Sequence, residues 1–345
     1  STRLNDLEAK AELESLVSRE ASFLFNNLLL VGIAFAVLWG TLFPILSEAV
    51  TNNKITVGPP FFNKVNIPLG LALLALTGIG PLIAWRRASA ENLKRQFTGP
   101  LLAGITAGAA LFALGMRDFG ALVAYTLCGF VSGTIIQEFW KGVGARRRMY
   151  NENAVMALVR LVARNRRRYG GYIVHVGIVI LFAAFAGLAF KEEFDVTLKG
   201  GETYEATDPY GNRWRFVSQG VSRYDELNRQ TTAVLLDSYR NGKKVGVIKT
   251  EKRQYTDSRG VPTFQPATEV GIMEGIREDV YVVLAGVIGE DTAEMRITFN
   301  PLVWWVWYGG LIMAIGGLIV MWPQAERRRA QAGYSTVLQP AEQKA

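Results

Sequence analysis

Six apolar runs, each close to the roughly 20 residues needed to cross the hydrocarbon core of a bilayer, constrain this chain more than any other feature. A chain with so many runs of this length is predicted to be a polytopic α-helical membrane protein with about six transmembrane helices. The predicted spans cover residues 28–46, 67–85, 100–116, 119–137, 170–190 and 301–321. The third span is short and is separated from the fourth by only two or three residues.

The distribution of basic residues predicts the orientation of these spans. The formal net charge is +8, but the arginines gather in short blocks at the ends of apolar runs. That pattern follows the positive-inside rule and does not resemble a nucleic-acid-binding surface, so we expect no nucleic-acid partner. The connections after the second, fourth and sixth spans are rich in Lys and Arg, whereas those after the first and third are poor. Every even-numbered span is therefore predicted to end inside, with both termini cytoplasmic.

The segment between the last two spans is predicted to be an all-β domain on the outer side of the membrane. It lacks helical periodicity and contains alternating runs such as TTAVLLDSY and KVGVIKTE, joined through Asn241-Gly242, a pair suited to a type I′ hairpin turn. The stretch VYVVLAGVIGEDTAEMRITF indicates a closing hairpin. We expect a small β-sandwich or barrel of about 100 residues.

These patterns divide the chain into five predicted segments. Residues 4–25 place leucines and other apolar residues on one helical face, with charged residues elsewhere. This pattern indicates a helix on the cytoplasmic surface, or equally a helix that packs against a soluble partner. There is no signal-peptide pattern, and the absence of an initiator methionine suggests a processed or truncated start. The segments are the surface helix (1–25), a five-helix transmembrane region (26–190), the β domain (191–299), the last transmembrane helix (300–323) and a cytoplasmic tail (324–345).

The only histidine of the chain, His175, lies inside the fifth predicted span. Apart from tyrosines and the single cysteine, Cys128, it is the one side chain in the six predicted spans that titrates near neutral pH. Ionisable groups inside a membrane are costly and usually face a cavity, a partner or a ligand. His175 has three open interpretations: a hydrogen bond between helices, a proton relay, or an axial metal ligand, with haem as the metal group that suits an apolar, helix-lined pocket.

Residues near His175 modestly favour the third interpretation. Gly171 lies one helical turn before His175, where the missing side chain would let a flat macrocycle approach, although tight helix packing explains a glycine equally well. The three arginines Arg166, Arg167 and Arg168 precede His175 closely enough to pair with haem propionates, although their ordinary role is to set topology. Trp304 and Trp305 belong to an aromatic cluster that suits either membrane anchoring or a haem surface.

No nucleophilic triad, zinc motif, P-loop or dinucleotide fingerprint is present in the sequence. Several short runs of the sequence are nevertheless specific enough to compare with a known family. WGTLFP at 39–44, VGPPFFNKVNIPLG at 57–70, GGYIVHVG at 170–177, REDVYVVLAG at 277–286 and NPLVWWVWYGG at 300–310 closely resemble the C-terminal half of the CcmF family, the membrane component of cytochrome c haem lyase. The resemblance covers essentially the whole chain in the expected order.

This resemblance implies a bacterial inner-membrane protein whose β domain is periplasmic. It implies covalent attachment of haem, delivered by the CcmE chaperone, to the CxxCH motif of an apocytochrome c. It also implies a haem b within the membrane, for which His175 matches a family ligand, and quinol as a possible electron source. The implied partners are the N-terminal half of CcmF, CcmH/CcmI-type apocytochrome-handling subunits, CcmE and apocytochrome c.

Some features of the family are missing from this sequence. The tryptophan-rich WWD motif, the two external histidines and the other transmembrane histidine belong to the N-terminal half of the family, so the catalytic residues stay unassigned here. One histidine cannot supply bis-histidine ligation, and we therefore expect a fragment or a separately encoded subunit that is not active alone. Two alternatives remain: a non-catalytic assembly scaffold, and a ResB-like component of the other maturation system.

Overall fold

The structure is a computed structural model that describes residues 18–83, 90–226, 228–257, 261–262 and 266–322. The predicted cytoplasmic tail and most of the predicted surface helix lie outside these ranges. Residues 19–25 form the first turns of a long helix, α1. The helices are α1 (Arg19–Thr51), α2 (Pro59–Ile79), α3 (Ala90–Ala113), α4 (Phe119–Tyr150), α5 (Ala154–Arg164), α6 (Arg166–Gly187) and α7 (Trp305–Met321).

The predicted fold class is confirmed. Among the described residues, five helices are long and apolar enough to cross a membrane, and α7 is a shorter apolar helix. α3 has 24 residues and is longer than the span predicted for it. α7 begins at Trp305, later than predicted, because the chain through Pro301 still belongs to the last β-strand.

Successive long helices alternate in direction. The beginnings of α1 and α6 and the turn that follows α2 meet around one cavity, and the far end of α4 contacts the beginning of α6. We call this end of the bundle, which carries Arg146–Arg148 and Arg166–Arg168, the arginine-rich end. The alternation agrees with the pattern of basic connections, and the assignment of this end to the cytoplasm stays a prediction from charge.

A β-sandwich lies between α6 and α7. One sheet has the strand order β1-β9-β8-β7 and the other β2-β3-β4-β5-β6, and all neighbouring strands are antiparallel. The strands are β1 (Glu192–Lys199), β2 (Thr203–Thr207), β3 (Arg213–Glu226), β4 (Arg229–Arg240), β5 (Lys243–Tyr255), β6 (Ala267–Glu269), β7 (Gly271–Met273), β8 (Glu278–Ile288) and β9 (Thr292–Pro301).

Alternation along the strands builds the core of the sandwich. β3 buries every second residue along its first half, which directs Trp214 and Phe216 inward. The rings of Trp214 and Phe216 are stacked with centroids 5.8 Å apart, and Trp214 lies 5.8 Å from Phe299 of the opposite sheet. The predicted β4–β5 turn is also confirmed: Asn241 and Gly242 both have positive φ angles, 49° and 78°, as a type I′ turn requires.

Glycines join α6 to α7. Gly177 and Gly309 face each other, and Gly170 faces Gly316, so each helix presents glycines seven residues apart to its antiparallel neighbour. A Cβ atom built at Gly309 would lie 2.9 Å from the carbonyl oxygen of Gly177. In lipid, helices associate through such close packing because lipid tails are as apolar as the helices themselves.

A pair of buried acids lies where the sandwich meets the membrane helices. The side chains of Asp208 and Glu278 are 0% and 2% exposed, and Arg240 lies 3.7 Å and 3.4 Å from their oxygens. Burial and the neighbouring Asp208 raise the pKa of Glu278 above its ordinary 4.5 to about 8. Burial opposes ionisation of Asp208 too, but hydrogen bonds from Glu278, Trp214 and Asn212 lower its pKa to about 2. Glu278 is therefore the proton donor of the pair.

The glycine contact predicts opposite effects for two adjacent alanine substitutions. Gly309→Ala should lower the melting temperature, because the new Cβ meets backbone and Leu181 at 2.9 Å. Gly310→Ala gains the same helix propensity, and a Cβ there has no heavy atom within 4 Å, so the melting temperature should stay or rise. Thermal unfolding of the detergent-solubilised protein measures both. Equal melting temperatures for the two variants would contradict the packing argument.

The acid pair predicts a pH-dependent stability. Between the ordinary pKa of 4.5 and the raised pKa of about 8, the folded protein keeps on Glu278 a proton that the unfolded chain releases. Stability should therefore fall as pH rises through about 8. Glu278→Gln, which keeps a donor toward Asp208, should flatten this fall. The test is the melting temperature of the β-sheet circular dichroism signal at low and high pH, and a wild-type slope retained by the variant would refute the assignment.

Candidate functional site

His175 lies near the middle of α6, on a side of the helix that the α7 contact leaves open. Gly170 and Gly177 pack against α7, whereas Gly171 and His175, four residues apart, face elsewhere. The sequence predicts this arrangement only in part, since any of the three glycines could have been the packing residue.

A cavity of about 520 Å³ opens beside His175. Its walls come from three elements that are distant in sequence: the beginning of α1, the turn after α2 and the first half of α6. The lining residues are Phe23, Pro81, Arg167, Arg168, Gly171, Tyr172 and His175. Four of the seven site residues predicted from sequence are thus brought together at the arginine-rich end.

The His175 imidazole is half-buried, and its Nδ1 atom is buried without a hydrogen-bond partner in the part of the chain that the structure describes. A buried polar atom is normally hydrogen-bonded, because burial without a partner is costly. The interpretation in which His175 only bonds across helices therefore has no support in the described contacts. The ring of Tyr172 lies near the imidazole, with ring centroids 6.4 Å apart.

Gly171 keeps one wall of the cavity open. A Cβ atom built there would meet no heavy atom within 4 Å, whereas one built at Gly170 would lie 2.7 Å from the Val320 side chain. The two adjacent glycines therefore differ: Gly170 allows helix contact, and Gly171 faces free space beside the imidazole. A flat group could approach the α6 backbone at Gly171 without displacing a side chain.

The three predicted arginines are separated by the structure. Arg168 forms an ion pair with Glu138 of α4, and its Nε donates to the Tyr172 hydroxyl at 3.2 Å. Arg167 lines the cavity, is exposed and has no ion-pair partner among the described residues. Arg166 lines a different groove, between α5 and α7. Of the three, Arg167 is the one best placed to bind an additional anionic group.

Glu138 is a residue that the sequence reading misses. The predicted fourth span stops at Gln137, one residue earlier, so the inventory of ionisable groups in the spans omits it. Its side chain is only 8% exposed, and its carboxylate accepts from the Tyr172 hydroxyl at 3.3 Å in addition to pairing with Arg168. The sequence did contain an indication of Glu138. Arginines beside a membrane span usually need an acidic partner at the same depth, and Glu138 is an acid at the end of the fourth span.

Trp304 and Trp305 lie at the opposite end of α6 and α7 from the cavity. α7 begins there, close to where α6 ends, since Gly187 contacts Leu302. The indole nitrogen of Trp305 donates to the Ile276 carbonyl at 2.9 Å. The Tyr308 ring contacts both tryptophans, with its centroid 4.7 Å from that of Trp304 and 5.8 Å from that of Trp305. These contacts fit an anchor between the β domain and the membrane helices, and they do not bring the tryptophans to His175.

These residues can provide one metal ligand to a flat, largely apolar group that carries acidic substituents at one edge. They provide one imidazole with an unpartnered nitrogen, an open glycine one turn away and an exposed arginine. Among the described residues, no group of three or more His, Cys, Asp or Glu side chains is arranged to hold a metal ion. A haem, whose iron needs only axial ligands from protein, is compatible with this set, whereas a zinc site of several side chains is not formed by it.

Comparison with known families places residues 189–301 in the family described as CcmF C-terminal beta-sandwich. Among solved structures, the chain is similar to one titled Cytochrome c Heme Lyase CcmF, with a TM-score of 0.64 and 28% identity, covering 90% of this chain and 46% of that one. Of the two predicted forms of the β domain, sandwich or barrel, the family match and the structure both show a sandwich.

Curated relatives give the same result across most of the chain. The cytochrome c-type biogenesis protein CcmF of Pseudomonas fluorescens is 29% identical over 307 residues, 88% of this chain and 44% of the relative. CcmF of Escherichia coli is 27% identical over 319 residues, 91% of this chain and 45% of the relative. CycK of Rhizobium meliloti is 30% identical over 310 residues, which are 88% of this chain and 43% of the relative. The chain thus spans less than half the length of these relatives.

The arginine assignments predict unequal effects of two neighbouring substitutions. Arg168→Gln should lower stability by about 1 kcal/mol, because it removes the main partner of the buried Glu138 carboxylate. Arg167→Gln should change stability by less than about 0.5 kcal/mol, because the side chain is exposed and unpaired. Thermal unfolding compares them, and adding Glu138→Gln to Arg168→Gln should recover part of the loss. Purely additive losses would rule out the pairing.

Proposed function

Because the chain belongs to the CcmF family of cytochrome c biogenesis proteins, as its C-terminal part, we propose that it supplies one axial haem b ligand, His175, to a cytochrome c haem lyase. The observation that carries the proposal is the buried Nδ1 of His175, which has no hydrogen-bond partner among the described residues and lies beside an open cavity. A site with two imidazole ligands would need the second one from outside this chain, because His175 is its only histidine. We assign it to the N-terminal half of CcmF.

The residues around His175 have separate roles in this proposal. Gly171 would leave space for the porphyrin, and the exposed Arg167 side chain would pair with a propionate. Arg168 is a positioning residue, because its ion pair with Glu138 and its hydrogen bond to Tyr172 tie the beginning of α6 to α4 and so hold the helix that carries His175. Arg166 has no role at this haem, since it lines another groove.

When bound, the haem iron supplies one-electron redox chemistry for reducing the haem that is being attached. The chain's own contribution is to hold the half-buried imidazole beside a helix-lined cavity, where solvent exposure would affect the potential of a ligated iron. Electrons would come from quinol in the membrane. The haem substrate, delivered by CcmE, is joined to the cysteines of the CxxCH motif in apocytochrome c on the opposite, periplasmic side.

The β domain and the tryptophans belong to that periplasmic side in the proposal. Trp304, Trp305 and the base of the sandwich lie far from His175, at the end where substrate haem and apocytochrome c would arrive. We propose that the domain docks apocytochrome-handling subunits of the CcmH/CcmI type, while the N-terminal half holds the delivered haem. The chain is then an inner-membrane subunit with cytoplasmic termini, inactive without its counterpart.

Substitution of the imidazole tests the ligand assignment. His175→Ala, purified together with the N-terminal half, should lose the low-spin haem b absorbance, because alanine cannot ligate iron. Reduced-minus-oxidised spectra and haem content per protein are the measurements. An unchanged spectrum and haem content would show that His175 is not a ligand.

A second variant separates loss of haem from loss of folding. Gly171→Leu should lower haem content while leaving the melting temperature of the haem-free protein nearly unchanged, because its side chain enters open space. The matched change at the adjacent glycine, Gly170→Leu, should instead destabilise the protein through its contact with α7. Full haem content in the Gly171 variant would refute the proposed position of the porphyrin.

A further inference from the structure

The end of α4 extends beyond the thickness of a membrane. Its 32 residues make a helix about 48 Å long, against a hydrocarbon core of about 30 Å. If Phe119 lies at one boundary, the other is reached near Phe139. Trp140, which is 79% exposed, then lies in the interfacial zone where exposed tryptophans are typical. The remaining turns, up to Tyr150, emerge among headgroups at the arginine-rich end.

The short helix α5 lies against this end of α4. Its 11 residues are too few to cross a bilayer. One side is buried through Ala157 and Leu161, and Leu161 packs against α4 at Gly142. Another side exposes apolar groups, including Val155 at 72% and Val159 at 58%. A short helix with an exposed apolar side and basic residues is suited to the plane of the membrane interface.

A pocket of about 450 Å³ lies at the elbow between the two helices. We call it the α4–α5 pocket. It is separate from the His175 cavity and is lined by Trp140, Val143, Gly144, Arg147, Arg148, Asn151, Glu152 and Ala154. Asn151 turns the chain here with a φ angle of 49°, and its backbone N–H caps α4 through the Arg147 carbonyl.

Ion pairing leaves the pocket with a positive charge. Glu152 is its one acidic lining residue, and both of its oxygens are already engaged. Oε2 accepts from Arg146 Nε at 2.9 Å, while Oε1 accepts from Arg146 Nη2 at 3.0 Å and Arg160 Nη1 at 2.7 Å. Arg147 and Arg148 are exposed and have no ion-pair partner among the described residues. Two guanidinium groups thus face the pocket without a counter-charge.

We propose that the α4–α5 pocket binds the phosphate headgroup of an anionic phospholipid. Arg147 and Arg148 donate to the phosphate oxygens, a geometry that guanidinium groups satisfy well. The acyl chains lie on Trp140 and on the exposed apolar side of α5, next to Val155. Basic pockets beside transmembrane helices suit such headgroups. A soluble anion would satisfy the arginines alone and leave the apolar surface uncovered.

Native mass spectrometry of the purified, delipidated membrane protein tests this site, with dioleoyl phosphatidylglycerol and dioleoyl phosphatidylcholine as probes. The wild type should bind the anionic lipid preferentially. The double variant Arg147→Gln/Arg148→Gln should bind it about tenfold or more weakly, given the usual contribution of each arginine near an anionic lipid. Its melting temperature should not change, because both side chains are exposed and unpaired.

The matched control is Lys94→Gln/Arg95→Gln on α3. It removes the same charge from exposed residues, and the charge pattern assigns them to the same side of the membrane. Its lipid affinity should equal that of the wild type. Equal weakening in both double variants would overturn the proposal in favour of a non-specific charge effect, as would a wild type without preference between the two lipids.

A third variant distinguishes phospholipid from free phosphate. Trp140→Gln removes apolar surface and no charge, so it should weaken phosphatidylglycerol binding. Millimolar inorganic phosphate should not displace the lipid from the wild type. Displacement by phosphate, together with unchanged lipid affinity in the Trp140 variant, would identify the pocket as a site for soluble anions and refute the proposal.

Discussion

The close contact between α6 and α7 is the interaction on which the other parts of this protein depend. Because lipid offers no hydrophobic driving force, the two helices must meet through backbone-close packing, and four glycines make this possible. The β-sandwich leaves α6 and returns into α7, and its first and last strands, β1 and β9, are direct neighbours. The same contact therefore closes the β domain at its base and fixes it to the membrane helices.

That contact also decides which side of α6 is free for function. With Gly170 and Gly177 committed to α7, Gly171 and His175 face the cavity formed with α1 and the turn after α2. The site and the sandwich consequently sit at opposite ends of one helix pair. In the proposed function, this arrangement separates the membrane haem from the surface where apocytochrome c would be handled.

Two acids with side chains of low exposure, Glu138 and Glu152, determine which arginines remain available. By sequence, the arginines at 146–148 and 166–168 are equivalent contributors to topology. In the structure, Glu138 engages Arg168 and Glu152 engages Arg146, so these two arginines have structural roles. Arg147, Arg148 and Arg167 remain as exposed cations that line cavities. An arginine that pairs with one of these carboxylates holds helices together, whereas an arginine without such a partner is available to bind another group.

The sequence by itself determined the membrane class, the approximate spans, the inserted β domain, the Asn241-Gly242 hairpin and the place of the single histidine, His175, inside an apolar span. These follow from local properties: run length, alternation, turn chemistry and the scarcity of ionisable groups in apolar segments. Only the tertiary structure decided that Gly171 is open while Gly170 packs, that Glu138 pairs with Arg168, and that Trp305 bonds to the β domain far from His175. Helical periodicity shows which residues share a face, but the neighbour that each face meets depends on packing between segments distant in sequence.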